Sequence, residues 1–325
     1  MGEHGWAIGI DVGGTKIAAG LVDPETGRTT GRRTMRTGAD RGGAAVLADV
    51  EAVAGDLANE ARARGRTVAA VGVGVPELVD PEGRIGSGHA FDWRGLPVSG
   101  RLGEIAPVTI EADVRAAALA EARFGAGQPF ASFAYVSVGT GISSTLVLDG
   151  RPWPGARGAA LVLSTGPISV PCPHCGGLEP FVLEEYASGP GLVRRHAELT
   201  GRAANGAEEV VAAAAAGEPE AVAVVETAAV ALGSAVGFLV NVADPAAIVV
   251  GGGLGSAPGP FWDHLVAATR RHVWNPEAQS LPILQARLGL DAGWIGAALA
   301  AVDEGTAADR GGGMDRRPLA AVGRR

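Results

Sequence analysis

The chain has 325 residues, of which 47% are hydrophobic and 5% aromatic, and its formal net charge is −8 at pH 7. This length fits two domains of ordinary size with a core of small aliphatic side chains. The acidic balance, the absence of an 18-residue uncharged apolar run and the short polar N-terminus predict no nucleic-acid partner, no membrane span and no signal peptide. Two cysteines make no disulfide framework, so we expect a cytoplasmic protein.

Strands are predicted where apolar runs are bounded by glycine or proline, and helices where apolar residues follow helical spacing. The predicted strands are residues 7–12, 16–22, 68–75, 108–111, 133–138, 143–148 and 247–250. The predicted helices are residues 44–64, 116–124, 184–200, 218–242, 260–272 and 292–303. The glycine- and arginine-rich residues 306–325 are predicted to form a disordered tail. Alternation of this kind is typical of an α/β protein.

One pattern occurs twice, namely an apolar strand, a glycine turn and a second strand, at residues 8–22 and 134–148. The repetition predicts two similar domains that face each other across a cleft. We expect a smaller N-terminal domain over residues 1–112 and a larger one over residues 113–292.

The glycine turns of the two repeats are Gly13-Gly14-Thr15 and Gly139-Thr140-Gly141. Glycine lets backbone N–H groups approach a phosphate without hindrance from a Cβ, and each threonine adds a hydroxyl donor. Asp11 precedes the first turn, where a carboxylate can orient Mg²⁺ through water. The two turns together therefore predict a site for a phosphate chain and Mg²⁺.

Lys16 closes the first turn and is the only lysine in the sequence. It indicates either an anion site that uses the ammonium group or chance in an arginine-rich composition. The third loop, Gly251-Gly252-Gly253, follows a buried strand. It either packs a nucleobase and ribose or serves only helix–strand packing.

Six segments, in this order and spacing, carry a resemblance to a known family: Gly9–Lys16, Gly72–Pro76, Asp113 with Ala116–Glu121, Gly139–Ile142, Glu185–Gly189 and Asp244–Gly253. With them the chain resembles the ROK (repressor, ORF, kinase) branch of the actin-like sugar kinases over nearly all of residues 7–304. The resemblance implies two actin-like, ribonuclease-H-like α/β domains that close on ATP and a sugar. It also implies that a last helix, over residues 293–305, returns to the first domain, and it leaves a homodimer open.

By the same resemblance, Asp113 is the base that takes the proton from the acceptor hydroxyl. Phosphoryl transfer depends mainly on positioning and charge stabilisation, with one carboxylate directed at the nucleophile. Asp113 also lies between a predicted strand and a predicted helix, where aspartate is a good N-cap. Catalysis is the favoured interpretation and capping the alternative.

The resemblance places Gly74, Pro76, His89 and Glu184 at the acceptor site. Sugar kinases of the family usually carry an asparagine where this chain has Ala112, and Gly-Glu-Ile-Gly-His where it has Leu161-Val162-Leu163-Ser164-Thr165. Glu77 replaces the last glycine of the Gly-x-Pro-Gly loop. It is interpreted either as a carboxylate of the pocket or as an exposed loop residue.

These departures bear on the acceptor, because a pocket that lacks contacts to hydroxyl groups loses ~1–3 kcal/mol for each. The hypothesis is a glucose-like ring with a primary hydroxyl, either an aminosugar such as kanosamine, whose amine Glu77 would pair, or a valiolone-type C7-cyclitol, both substrates of specialised metabolism. The alternatives are a glucokinase that acts on glucose and a non-catalytic sugar sensor. A transcriptional repressor of the family is disfavoured, because the first predicted strand begins at Ala7 and leaves no room for a DNA-binding domain.

The segment Cys172-Pro173-His174-Cys175 resembles the zinc loop of the family, which uses one histidine and three cysteines. Thr165 stands at the histidine position and Val182 near the third cysteine, so a structural zinc ion has at most three ligands here instead of the four it requires. Zinc is therefore the less favoured interpretation.

The remaining histidines on predicted helices are interpreted as surface residues. They are His196, His264 and His272.

Overall fold

The computed structural model describes residues 5–171 and 175–309. Its strands are β1 (Trp6–Val12), β2 (Lys16–Val22), β3 (Thr29–Arg36), β4 (Val68–Val75), β5 (Val108–Ala112), β6 (Ser132–Val138), β7 (Ile142–Leu148), β8 (Arg151–Pro152), β9 (Pro167–Pro171), β10 (Leu178–Val182), β11 (Ile248–Gly251) and β12 (Ile283–Gln285). Its α-helices are α1 (Gly43–Ala63), α2 (Val98–Leu102), α3 (Asp113–Phe124), α4 (Leu183–Ala187), α5 (Gly189–Thr200), α6 (Ala207–Ala215), α7 (Pro219–Ala243), α8 (Pro260–His272) and α9 (Ala292–Asp309).

Two five-stranded sheets have the same topology. The first has the order β3-β2-β1-β4-β5, and the second, β8-β7-β6-β11-β12. In the first sheet β2 lies antiparallel to β1 and β3, whereas β4 lies parallel to β1 and β5. The second sheet repeats each of these directions. The predicted repeat is confirmed, and β9 with β10 forms a separate two-stranded ribbon.

Helix α3 lies between the two sheets. Its residues Leu119 and Ala120 pack with α9 against Ala7 and Val22 of the first sheet. Its residue Ala118 packs against the second sheet in a cluster with Phe133, Tyr135, Val147 and Val249. Helix α1 covers the opposite face of the first sheet, and α7 and α8 cover that of the second. The residue that opens α3 therefore stands at the junction of both halves.

Helix α9 lies directly on the backbone of the first sheet. A Cβ at Gly9 would collide with the carbonyl of Trp294, and one at Gly72 with the carbonyl of Ala297. Glycine at these two strand positions is therefore what allows the close approach of α9.

Helix α7 is long and apolar enough to cross a membrane, and it is the one such helix in the described part of the chain. Its buried residues, among them Val224, Leu232 and Val236, belong to the core of the second half. Half of its apolar window is buried in this core, whereas Phe238 and Val242 near its end are exposed.

The element boundaries differ from the predictions in three respects. The predicted helix at 184–200 is divided into α4 and α5 at Ser188, whose hydroxyl accepts a hydrogen bond from Gly191 N at the start of α5. Short or polar elements such as β3 and α6 carry too weak a periodicity to be predicted. Helix α9 continues to Asp309, so the predicted tail begins four residues too early, and residues 310–325 lie outside the described part.

Candidate active site

The carboxyl ends of three parallel strands bring two aspartates together. In the first sheet Asp11 of β1 is in register with Gly74 of β4, which is in register with Glu111 of β5. A Cβ at Gly74 would lie 3.6 Å from Asp11 Oδ1 and 3.7 Å from the Cα of Asp113. A side chain at position 74 would therefore contact both Asp11 and Asp113. The parallel pairing of β1, β4 and β5 brings the two aspartates to the same edge of the sheet.

Asp113 has an unusual protonation equilibrium. The pKa of its carboxyl is raised from 3.8 to about 7. Burial is the largest cause and the negative charges of Asp11 and Glu77 act in the same direction, whereas the hydrogen bond from Val114 N–H and the charge of Arg115 act against them. A carboxylate with a pKa close to neutral is suited to accept a proton at physiological pH.

Asp113 is not the N-cap of α3. That position belongs to Ala112, which has extended backbone and no side-chain cap, and Asp113 is the first helical residue. Its Oδ1 accepts a hydrogen bond from Val114 N at 2.6 Å. The capping alternative is therefore wrong in its position.

Asp11 lies against the start of α9, because a Cβ at Gly293 would collide with its carboxylate. Burial, opposed in part by the positive charge of Lys16, raises the pKa of Asp11 to about 6. A divalent cation next to this carboxylate would offset the cost of its burial, so Asp11 fits the predicted Mg²⁺ orientation.

The first glycine turn is held by a residue that sequence reasoning missed. Thr37, which follows β3 and is fully buried, donates from Oγ1 to Gly13 O at 2.6 Å and from N to Thr15 O at 3.1 Å. Gly13 N also donates to Lys16 O at 2.9 Å. No local motif marks Thr37, because its partners lie more than 20 residues away in the sequence.

The second and third glycine loops adjoin each other on the second sheet. Gly139 N donates to Gly141 O at 2.9 Å, and a Cβ at Gly139 would lie 3.7 Å from Gly253 N. The N-terminus of α5 packs against the same loop, since Gly189 N donates to Gly139 O at 2.8 Å. Two of the three predicted nucleotide loops thus form one surface.

Glu184 lies beside this surface. Its Oε2 accepts a hydrogen bond from Ile142 N at 2.7 Å, and a Cβ at Gly141 would lie 2.7 Å from the same oxygen. Glu184 therefore fixes the second glycine turn, and its contact with an acceptor stays a prediction.

Glu77 is a buried structural carboxylate. It is 4% exposed and accepts hydrogen bonds from the hydroxyl of Ser87 and from the backbone N–H groups of His89, Ala90 and Phe91. The exposed-loop interpretation is wrong. A free carboxylate for a substrate amine is also absent, because a carboxylate has about four acceptor sites and these donors occupy them.

Glu77 thereby holds the segment that carries His89, whose side chain is exposed. Pro76 lies between Glu77 and the end of β4, and Gly74 is buried beside the two aspartates.

Arg115 is a second residue that sequence reasoning missed. It is buried in the first turn of α3 and bonds Glu111 at the end of β5. Its spacing could have indicated it, because Arg115 lies two residues after Asp113 and four residues after Glu111, a separation at which opposite charges often pair.

The histidine and cysteine predictions have mixed outcomes. His196 is buried on α5, so its assignment to the surface is wrong, and both its ring nitrogens lack a hydrogen-bond partner among the described residues. Cys172 and His174 lie outside the described residues, and Cys175 is exposed. The described residues include no group of three histidine, cysteine or acidic side chains that could hold a metal ion, and zinc stays a prediction.

Two sheets of one topology, with a shared helix that opens on a high-pKa aspartate, define an α/β protein of two actin-like domains. The ROK family model matches residues 7–304. The chain is 30% identical over 320 residues to the glucokinase of Streptomyces coelicolor. The alignment covers 90% of this chain and 96% of the glucokinase. It is 31% identical over 255 residues to the kanosamine kinase of Amycolatopsis mediterranei, covering 76% and 80% of the two chains.

The fold of this chain is also similar to that of a solved structure. The ROK family glucokinase of Streptomyces griseus, in complex with glucose and AMPPNP, has a TM-score of 0.77 and 30% identity, covering 92% of this chain and all of that one. The chain therefore belongs to the ROK family. The predictions of an actin-like fold and of an ATP-dependent sugar kinase are both confirmed at that level.

Proposed function

We propose that this kinase transfers the γ-phosphoryl group of ATP to the primary hydroxyl of a glucose-like ring, with Asp113 as the base. One observation carries the proposal: a carboxyl with a pKa of about 7 lies beside Asp11 where α3 begins. This is the environment that an acceptor hydroxyl needs for proton removal at neutral pH.

In the proposed mechanism the glycine turns bind the phosphates through backbone N–H groups, and Lys16 adds a positive charge. Asp11 would hold Mg²⁺ through water, and the ion would neutralise charge on the phosphates. The acceptor oxygen forms the new bond to the γ-phosphorus while the bond from that phosphorus to the β,γ-bridging oxygen breaks, in line. Asp113 takes the hydroxyl proton, and ADP leaves.

The wall of the pocket supports an acceptor other than glucose. Ala112 is 7% exposed, and its methyl side chain offers no hydrogen bond to a ring hydroxyl. In the segment that replaces the usual glutamate and histidine, Leu161 and Leu163 pack against the apolar core, and the hydroxyl of Thr165 donates to Val162 O. Fewer groups are thus available for ring hydroxyls.

The hydrogen bonds of Glu77 remove the reason to favour an amine. A valiolone-type C7-cyclitol therefore fits the proposal better than kanosamine does, because it carries no amine that needs a carboxylate and its ring differs from that of glucose. Glucose itself is the second candidate, and the likeness to glucokinases over most of the chain favours it.

Steady-state kinetics with ATP and Mg²⁺ on glucose, kanosamine and a valiolone-type cyclitol test the proposal, with Asp113→Asn as the inactive control. We expect the highest kcat/KM for the cyclitol. A clear preference for glucose would overturn the acceptor assignment and leave the chemistry intact. Tight binding of a ring compound with no turnover of any acceptor would instead identify a sugar sensor.

A further inference from the structure

Arg115 connects three separate elements next to the proposed base. Its side chain is only 6% exposed and lies two residues after Asp113. Its Nε donates to Glu111 Oε1 at 2.6 Å, one Nη to Val79 O at 2.6 Å and the other Nη to Gly158 O at 3.1 Å. A single guanidinium thus satisfies acceptors from β5 and from two different loops.

The two loops come from different sheets. Residues 76–91 follow β4 of the first sheet, and residues 153–162 follow β8 of the second. They touch at Arg115, because a Cβ at Gly158 would collide with the carbonyl of Val79. Arg115 therefore donates hydrogen bonds to one carbonyl from each half of the molecule, at the place beside α3 where the two halves are in contact.

Each loop also has an anchor of its own. In residues 76–91, Glu77 holds the backbone of His89 and its neighbours. In residues 153–162, Leu161 O accepts a hydrogen bond from the hydroxyl of Ser144 on β7. Both segments are therefore ordered and flank the start of α3, and Arg115 is the one side chain that bonds the two of them in the described part of the chain.

We propose that Arg115 is a positioning residue, which clamps residues 76–91 and 153–162 onto the first turn of α3 and so sets the acceptor against Asp113. This inference rests on the proposed function. Arg115 is not a catalytic residue, because its donors are directed at Glu111 and at two carbonyls of the protein. The planar five-donor fork of arginine can reach three acceptors at once, whereas the single ammonium of lysine cannot.

The test compares Arg115→Lys with Arg123→Lys. Arg123 lies near the other end of the same helix, where it pairs with Asp303 at 2.9 Å and is 41% exposed, so its replacement is a matched control. If Arg115→Lys fails to fold, a double variant, Glu111→Gln with Arg115→Met, removes both charges and leaves no partly buried carboxylate without its partner. The readouts are kcat, the KM of each substrate, and amide hydrogen exchange of the free protein.

We expect Arg115→Lys to lower kcat by ~10–100-fold, the scale of a ~1 Å misplacement, and to raise the KM of the acceptor but not that of ATP. Exchange should become faster in residues 76–91 and 153–162 alone, and Arg123→Lys should behave like the wild type. The clamp is overturned if kcat and exchange stay at wild-type values. It is equally overturned if exchange becomes faster throughout the chain, or if both KM values rise alike. If the wild type phosphorylates none of the acceptors, the proposed function fails, and the exchange data still decide the clamp.

Discussion

The two β-hairpins that open the sheets have one topology and different chemistry. In the first sheet Asp11 is in register with Gly74 of the neighbouring parallel strand, and in the second sheet Ser137 is in register with Gly251 in the same way. Asp11 and Ser137 are therefore equivalent positions. The first turn has four residues between Val12 and Ile17, including Lys16, whereas the second has three between Val138 and Ile142.

The charged side chains of the hairpins themselves thus belong to one hairpin, although the glycine turns of both are predicted to bind phosphate. Among the described residues of the two hairpins, the turn and the residue before the last strand position carry charge only in the first hairpin, at Asp11 and Lys16. The second turn is Gly139-Thr140-Gly141, and the carboxylate that contacts it, Glu184, comes from α4. Under the proposed function, we expect the reacting phosphate at the hairpin that carries Asp11 and Lys16, and the rest of the nucleotide at the other. The predictions below test this division, starting with the largest expected effect.

Asp113→Asn should lower kcat by ~10²–10⁴-fold, the usual contribution of a general base. The same change should stabilise the protein at pH 8. Because burial raises the pKa of Asp113 from 3.8 to about 7, the folded state binds the proton more tightly, and stability declines as the pH rises through this window. Turnover assays and thermal denaturation at pH 8 measure the two effects. Substantial activity in the variant would exclude Asp113 as the base.

Asp11→Ser gives the first hairpin the residue type that Ser137 supplies at the equivalent position of the second. We expect kcat to fall by ~10²-fold, the scale of losing one electrostatic group at a transition state, and the Mg²⁺ requirement to rise. Ser137→Ala is the matched change in the other hairpin and should cost little. An equal fall in kcat in the two variants would mean that the two hairpins do not have different roles in catalysis. Mg²⁺ titrations of activity measure the difference.

The pH profile should report the aspartate pair. Since the proposed base must be ionised, kcat/KM should fall about tenfold per pH unit below ~7, the pKa of Asp113 in the free enzyme. Asp11, with a pKa of about 6, should make the profile steeper below that value. A rate constant that is level down to pH 5 would show that the two carboxyls do not titrate in this range.

Lys16→Arg should have the smallest effect, a loss of a few-fold in kcat/KM for ATP, because the charge is kept and only its geometry changes. Lys16→Met removes the charge and should cost more. Initial rates at varied ATP concentration measure both variants. A loss for Lys16→Arg as large as that for Asp113→Asn would make Lys16 the more important group.

The candidate residues that could be singled out from the sequence are those marked by a local pattern or by the family motif, and their roles stay predictions. Asp11 is singled out by its position between an apolar strand and a glycine turn. Asp113 is singled out by its place in the order of motifs that resembles the ROK family, because its position between a strand and a helix also suits an N-cap. Thr37 and Glu77 behave differently. Thr37 bonds a turn more than 20 residues away, and the buried state of Glu77 depends on donors 10 to 14 residues further along the chain.

The sequence by itself determined the repeated hairpin, the strands and helices with strong periodicity, and the order of motifs that marks the family. These depend on short-range steric and hydrophobic patterns, which are the same in any context. Only the tertiary structure decided that Arg115 joins the two halves, that Glu77 is saturated with donors and that His196 is buried. Burial and hydrogen bonding of a side chain depend on what packs against it, and in a sandwich of two sheets around α3 those partners come from distant parts of the chain.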